Sequence, residues 1–160
     1  MRRRFLLVLL GTVCAGLAPQ AWARETPLPV AQDLVQDASA AQRQGMPLIL
    51  LVSLSGCPFC EEVRKLHLAP LAATGVVVRQ IHLDRDAQLI DFKGKRTTQR
   101  RFVKTLALRV APTVFFFDRN GRQIAEPIVG AIHEDFYQEY LDEAIAAAKK
   151  KLAVVAKSAN

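Results

Sequence analysis

Runs of apolar residues along the chain predict four strands. Residues 48–52 are all aliphatic, and a short unbroken run of this type is typical of a strand that is buried on both faces of a sheet. Similar runs predict strands at residues 76–83 and 113–117. Asn120-Gly121 follows the third run and favours a tight hairpin turn, so we expect a fourth strand at residues 122–124.

Helical periodicity predicts helices in the segments before, between and after these strands. Apolar residues recur at the spacing of an amphipathic helix in four segments, which are residues 30–44, 60–73, 97–108 and 134–152. In the second helix Val63, Leu66 and Leu71 are the predicted core residues, and Pro70 is expected to kink or shorten it. We expect the tail after Val155 to be loose. The order α-β-α-β-α-β-β-α predicts an α/β fold, with a mixed central sheet that helices flank on both faces.

The length and composition of the chain indicate one globular domain. The chain has 160 residues, which is enough for one hydrophobic core and short for two. Hydrophobic residues make up 51% of it, which favours a globular over a disordered chain. The formal net charge is +7, but the sequence contains no motif of a nucleic-acid-binding module and does not interleave aromatic with basic residues. Nucleic acid is therefore not a predicted partner.

The first 23 residues have the three-part layout of a secretory signal peptide. Arg2-Arg3-Arg4 precedes an apolar run at residues 5–18, and the small-residue pattern Ala21-Trp22-Ala23 ends the segment. The apolar run has about 14 residues, whereas a membrane span needs about 20. We expect cleavage after Ala23 and a mature domain of residues 24–160, and an uncleaved N-terminal anchor remains the alternative.

The cysteines are distributed as expected for an exported protein. Cys14 lies in the predicted signal peptide and would leave with it, so the mature chain would keep one pair, Cys57 and Cys60. Disulfides persist in the bacterial periplasm because that compartment is kept oxidising. A bacterial-type signal and a single cysteine pair therefore predict a periplasmic protein.

The segment Cys57-Pro58-Phe59-Cys60 carries the most specific chemistry, and it stands between a predicted strand and a predicted helix. Pro58 suits the first helical position because it has no amide hydrogen to satisfy, which places Cys57 at the positive end of the helix dipole. We expect the pKa of Cys57 to fall, since the dipole stabilises its thiolate. Cys57 is therefore the predicted nucleophile. Cys60, one helical turn further on, is the predicted resolving thiol.

Two other interpretations of the cysteine pair are weaker. A purely structural disulfide would stabilise the fold little, because it closes a very short loop. A zinc site needs four ligands, and two thiolates are half of that set. The histidines of the chain do not have ligand-like spacing, and they are His67, His82 and His133. We therefore predict no metal and no cofactor other than the redox-active disulfide itself.

A second motif, Val110-Ala111-Pro112-Thr113, directly precedes the third predicted strand. Together with the cysteine motif, it resembles the thioredoxin superfamily over about residues 30–152. The resemblance implies a thioredoxin-like fold in which Pro112 is a cis-proline beside the cysteines and Ala111 offers its backbone to a substrate chain. Cis bonds are essentially confined to proline, so the assignment is physically allowed. An ordinary trans proline at the start of a strand is the alternative.

The sequence looks most like periplasmic thioredoxin-related proteins of the thiol:disulfide interchange type, including those found with sulfur-oxidation systems. It departs from thioredoxin itself at three positions, which are Gly56 (for a tryptophan), Pro58 (for a glycine) and Leu51 (for a buried acid). That acid is thought to help move a proton at the inner cysteine. Glu61, Glu62 or water would have to substitute for it here.

The resemblance implies an enzyme that exchanges disulfides with protein thiols through Cys57 and Cys60, with the reductive direction favoured. A membrane or periplasmic redox partner would then supply the electrons, whereas a quinone-linked oxidant would recharge an oxidase. The alternative function is a thioredoxin-fold binding module with an inert or metal-holding cysteine pair. The sequence does not predict an oligomeric state.

Overall fold

The computed structural model describes residues 28–108, 110–131 and 134–158. The predicted signal peptide with its Cys14, and also His133, lie outside the described residues.

A mixed sheet forms the centre of the fold. Its four strands are β1 (Leu48–Ser53), β2 (Val78–His82), β5 (Thr113–Phe117) and β6 (Ile128–Val129). The strand order is β2-β1-β5-β6, in which β1 pairs with β2 in parallel and with β5 antiparallel, and β5 pairs with β6 antiparallel. A separate hairpin pairs β3 (Gln88–Ile90) with β4 (Arg96–Thr98). Every residue of β1 is fully buried, as its unbroken apolar run predicts.

Helices cover both faces of the central sheet. They are α1 (Leu34–Arg43), α2 (Pro58–Val63), a π-helical segment (Arg64–Leu68), α3 (Ala69–Ala73), α4 (Gln99–Thr105) and α5 (Glu134–Ser158). Helix α2, the π segment and α3 follow one another without interruption, and we call them together the Cys helix. The predicted α/β fold, with a mixed sheet between two helical layers, is confirmed.

Two apolar layers separate the helices from the sheet. The layer under the Cys helix and α5 includes Ile49, Leu51, Val63, Leu68, Phe116, Tyr137 and Leu141. The layer under α1 and α4 includes Leu34, Ala38, Leu48, Leu50, Val52, Phe102 and Val103. Alternate residues of β1 thus point to opposite layers, since successive side chains of a strand face opposite sides of the sheet.

The π segment corrects the prediction for the Cys helix. The prediction of Leu66 as a core residue is wrong, because its side chain is 57% exposed, whereas Leu68 is fully buried. The Ala69 N–H donates to the Arg64 carbonyl, five residues back, which widens the turn before Pro70. Pro70 has no amide hydrogen, and its ring would clash with the carbonyl four residues back in a regular helix. The wider turn rotates the residues after it relative to the first turn of the Cys helix, and Leu68 is the residue that points into the core there.

Two further predictions need correction, and one element of the fold was missed. Residues 122–124 do not form a strand; Gln123 makes only an isolated bridge to Phe117, and the last strand of the sheet is β6. The hairpin of β3 and β4 was not predicted, and the turn between its strands begins at Asp91. Helix α5 continues through Ser158, so the tail after Val155 is not loose.

Helix boundaries also shift by a few residues. Helix α1 begins at Leu34, because the Asp33 carboxylate accepts hydrogen bonds from the backbone N–H groups of Val35 and Gln36 and so caps the helix. Helix α4 begins after Thr98, whose hydroxyl caps it in the same way. None of the helices in the described ranges is both long and apolar enough to cross a bilayer.

Candidate active site

The cysteine pair lies where β1 leads into the Cys helix. Strand β1 ends at Ser53, and Gly56 turns the chain with a φ of +68°, a conformation that glycine adopts at little cost. Cys57 is the N-cap residue, with extended backbone, and Pro58 is the first helical residue. The backbone N–H of Cys60 donates to the Cys57 sulfur at 3.2 Å. The turn therefore delivers Cys57 to the N-terminus of the helix.

Cys57 and Cys60 form a disulfide, with their Cα atoms 5.3 Å apart. Cys57 is half-buried, whereas Cys60 is fully buried. Phe59, between them, is 61% exposed. The two sulfurs therefore differ in access, and Cys57 is the one that a partner molecule can approach.

The peptide bond between Ala111 and Pro112 is cis. Thr113, the next residue, pairs with Val52 in the antiparallel register of β1 and β5, so Pro112 lies beside the end of β1 from which the cysteine loop departs. The Pro112 carbonyl accepts a hydrogen bond of 2.7 Å from the Gly130 N–H. The two sequence motifs thus meet at one edge of the sheet.

Exposed apolar side chains surround this edge. Leu54 precedes the cysteines, Val110 precedes the cis bond and Val129 lies in β6, and all three are exposed, as is Phe59. Val129 pairs with Thr113, which places it on the strand next to the cis-proline. These side chains form an apolar rim around the disulfide, and such a rim suits contact with another polypeptide.

A polar group lies at the Cys helix, and we call it the Arg64 cluster: the buried Arg64, Ser53 and Gln80, together with the exposed Glu61. Arg64 donates to Gln80 Oε1 at 2.7 Å through Nε and to Ser53 Oγ at 3.0 Å through Nη2, and its Nη1 forms an ion pair with Glu61. Arg64 is only 9% exposed, and both Ser53 and Gln80 are buried. The hydrogen bond from Arg64 lowers the pKa of Glu61.

His82 lies at the end of β2, beside Ser53 in the parallel register of β1 and β2. It is 8% exposed, and its Nδ1 is buried without a hydrogen-bond partner among the described residues. Burial lowers the pKa of His82, and the positive charges of Arg85 and Arg64 lower it further. His82 is therefore held in its neutral form at neutral pH.

Sequence reasoning did not find the Arg64 cluster. It named Glu61 as a substitute proton carrier, but Glu61 forms an ion pair with Arg64 on the exposed side of the helix. One signal was available: Arg64 follows Cys60 by four residues, a spacing that places two side chains on the same face of a helix. Leu51 is fully buried, so the strand under the Cys helix carries an aliphatic side chain at the position of the thioredoxin acid.

Metal-ligating side chains do not gather in this part of the molecule. Among residues 28–108, 110–131 and 134–158, no three His, Cys, Asp or Glu side chains come together as a metal site would require. His67 stacks on Tyr137, with ring centroids 4.5 Å apart, and its Nδ1 lies 3.2 Å from Gln138 Oε1.

Comparison with known proteins identifies the fold. Residues 34–145 match the sequence model of a family described as thioredoxin-like domain. Thioredoxin O2 from Arabidopsis thaliana, solved in the oxidised state, is 14% identical over 74% of this chain and 95% of its own, with a TM-score of 0.51. The C-terminal domain of DsbD from Neisseria meningitidis, in the oxidised form, is 18% identical over 72% of this chain and 98% of its own, with a TM-score of 0.50. Among curated protein sequences no match was found.

Proposed function

Because the chain belongs to the thioredoxin-like domain family, we propose that it is a periplasmic thiol–disulfide oxidoreductase that reduces protein disulfides through Cys57 and Cys60. The observation that carries the proposal is the disulfide between a half-buried Cys57 at a helix N-terminus and a fully buried Cys60. A structural disulfide needs no such difference in access, whereas a redox pair uses one sulfur to meet the partner and the other to release it.

The reaction begins from the reduced pair. The Cys57 thiolate attacks one sulfur of the substrate disulfide, the substrate S–S bond breaks, and one substrate sulfur leaves as a thiolate that takes up a proton. Cys60 then loses its proton and attacks the Cys57 sulfur, which releases the second substrate thiolate. The substrate has gained two electrons, and Cys57 and Cys60 are joined again. A membrane or periplasmic thiol partner restores the reduced pair by the same exchange in reverse.

The edge beside the cysteines suits an extended protein substrate. We propose that the backbone of Ala111, next to the cis-Pro112, hydrogen-bonds the substrate chain near its disulfide. Phe59 and Val110 offer exposed apolar surface on either side of this position. Pro58 fixes the first turn of the helix and so holds Cys57 at its N-terminus.

Replacement of Cys60 by Ser tests the assignment of the two cysteines. We expect Cys60→Ser to accumulate mixed disulfides with protein partners through Cys57, because the resolving thiol is missing. They should appear on non-reducing gels and disappear with reductant. Cys57→Ser is the matched control and should trap nothing. If Cys60→Ser traps no adducts while its circular dichroism matches the parent protein, the pair is inert and the chain is a binding module.

The direction of electron flow has its own measurement. The redox equilibrium of the protein against glutathione, read by thiol trapping, gives the reduction potential. A value near about −270 mV, as in thioredoxin, supports the reductive role. A value towards about −120 mV would assign the chain to oxidation or isomerisation instead.

A further inference from the structure

The face of the sheet beneath the Cys helix has an unusual polar end. Leu51 and Ser53 of β1 share this face, since alternate residues of a strand point the same way, and Gln80 and His82 of β2 lie beside them in register. Leu51 belongs to the apolar layer, whereas the other three are buried and polar. The polar groups lie at the end of β1 that leads to Cys57.

Arg64 reaches this polar end from the Cys helix. Its backbone N–H donates to the Cys60 carbonyl, so the two residues lie one turn apart on the same face of the helix. Both side chains are buried, and the Arg64 guanidinium is fixed by Ser53 and Gln80. A permanent positive charge is therefore held in the interior, on the side of the helix that carries Cys60.

The ion pair with Glu61 does not cancel this charge in the interior. The Arg64 side chain is 10% exposed and the Glu61 side chain is 56% exposed. Water screens the carboxylate strongly, whereas it reaches the guanidinium little, because Coulomb interactions weaken as the surrounding medium becomes more polar. A buried sulfur on the same helix face therefore experiences a net positive field.

Cys60 needs such a field for its part in the reaction. It must lose its proton before it can attack the Cys57 sulfur, and a thiolate without a charge partner is disfavoured in an apolar interior. The strand beneath it offers an aliphatic Leu51 and no carboxylate to take up the proton.

Resting on the proposed function, we propose that Arg64 is a positioning residue whose charge stabilises the Cys60 thiolate during the resolving step, and that Glu61 limits this effect. The proton of Cys60 passes to solvent, the Cys60 thiolate forms a bond with the Cys57 sulfur, and the bond from Cys57 to the substrate sulfur breaks. The guanidinium stabilises the negative charge only while that charge is on the Cys60 sulfur.

Other charged groups surround the Arg64 cluster. His82 faces it from β2; the charges of Arg85 and Arg64 lower the pKa of His82, and those of Asp84 and Glu61 raise it. The positive charge of Lys65, in the π segment, lowers the pKa of Glu61. His82, Asp84, Arg85 and Lys65 are the same in every variant below, so differences between variants report on Arg64 and Glu61.

Titration of the two cysteines in the reduced protein tests the proposal. The protein is purified from cells that express the full chain, and isotope-edited NMR of the cysteine Cβ atoms follows Cys57 and Cys60 separately with pH. We expect Arg64→Met to lower the thiolate fraction of Cys60 about tenfold at a given pH, because an adjacent opposite charge shifts a pKa by about one unit or more. Arg64→Lys keeps the charge and should restore most of the ionisation.

The same variant should slow the resolving step. A tenfold loss of thiolate is partly offset because a more basic thiolate is a better nucleophile, so the release of glutathione from its mixed disulfide with Cys57 should slow about threefold. Arg79→Met is the matched control, since Arg79 forms an ion pair with Asp37 on the opposite face of the sheet. It should leave both measurements unchanged within about twofold.

Glu61→Gln provides the opposite change in a variant that keeps the interior contacts. The Glu61 side chain is mostly exposed, so its loss should not prevent folding even if Arg64→Met does. We expect it to raise the thiolate fraction of Cys60 by about threefold, in proportion to its weaker, screened charge. The proposal is wrong if this fraction stays unchanged or falls in Glu61→Gln, or if it stays unchanged in a folded Arg64→Met variant. Neither result would alter the trapping of partners by Cys60→Ser, which tests the oxidoreductase function separately.

Discussion

Two ion pairs lie on opposite faces of the central sheet, and they differ in which member is buried. On the face under the Cys helix, Arg64 is buried and its partner Glu61 is exposed. On the face under α1, the Asp37 side chain is 13% exposed and that of Arg79 is 27% exposed, with 2.7 Å between Arg79 Nε and Asp37 Oδ1. Burial raises the pKa of Asp37, and Arg79 only partly opposes this effect.

The two pairs each join an arginine to a carboxylate, but the more buried member is the arginine in one pair and the carboxylate in the other. The more buried member of each pair sets the sign of the charge in the interior, because the exposed member is screened by water. The face near the cysteines therefore contains a cation, and the remote face contains an anion. A thiolate is stabilised only on the first face, which is where Cys60 lies.

The largest expected effects on the free energy of unfolding come from the two apolar layers that pack beside the ion pairs. Leu50 pairs in register with Arg79 and Leu51 with Gln80, and both leucines are fully buried. We expect Leu50→Ala and Leu51→Ala each to lower the free energy of unfolding by about 2–5 kcal/mol, because each leaves a cavity. Urea denaturation measures both values. A much smaller loss for Leu51→Ala would mean that its face is packed less well than the opposite one.

Leu66→Ala is the control for this pair of variants. Its side chain is 57% exposed, so its truncation should cost less than about 0.5 kcal/mol. A loss as large as those of the buried leucines would contradict the exposure of the Leu66 side chain.

Loss of either ion pair should lower the free energy of unfolding by a smaller amount, and this amount should differ between the pair of Asp37 and the pair of Glu61. Arg79→Met leaves the Asp37 carboxylate largely buried without its partner, and we expect a loss of about 1–3 kcal/mol at neutral pH. Arg79 lowers the pKa of Asp37, so its removal raises that pKa further, and the variant protonates Asp37 first as the pH falls; the loss should therefore shrink at acidic pH. Chemical denaturation at several pH values measures both trends.

Glu61→Gln is the counterpart on the other face. An exposed ion pair contributes at most about 1 kcal/mol, so we expect a smaller loss of stability than for Arg79→Met. If Glu61→Gln and Arg79→Met lost equal stability, the exposure of the carboxylate would not determine how much its ion pair contributes.

The smallest expected effect is a pH dependence of stability that His82 causes. Its folded-state pKa is lowered, mainly by burial and then by Arg85 and Arg64, so the unfolded state binds the proton more readily. The stabilising contribution is complete above about pH 6.5 and is lost as the pH falls through the lower, folded-state pKa. The slope from this one group cannot exceed about 1.4 kcal/mol per pH unit.

Two variants isolate this contribution. His82→Gln should abolish the slope, and Arg85→Gln should reduce it, because loss of the Arg85 charge brings the folded-state pKa closer to the unfolded value. Thermal unfolding between pH 5 and 8 would reveal it. An unchanged slope in His82→Gln would assign the acid sensitivity to another group.

Sequence patterns predicted the parts of the fold that local physics determines. An unbroken aliphatic run suffices for β1, because such a strand must be buried on both faces. The position of Cys57 followed from Pro58, which favours the first turn of a helix. Both inferences use neighbouring residues alone.

The remaining features depend on contacts that are distant along the chain. Strand β6 has only two residues and exists because it pairs with β5, so periodicity cannot detect it. The burial of Arg64 requires Ser53 and Gln80, which come from two different strands. Charged residues are predicted at the surface by default, and only a three-dimensional arrangement of acceptors makes the interior favourable for one.

The π segment has a consequence for the comparison of sequences. A turn closed over five residues in place of four contains one residue more than the equivalent regular helix, so the Cys helix carries the equivalent of a single-residue insertion near residues 64–68. An ungapped alignment to a protein with a regular helix at this place would leave the residues on one side of the π segment one position out of register. Placing a one-residue gap between Cys60 and Pro70 restores the correspondence of inward positions with such a protein.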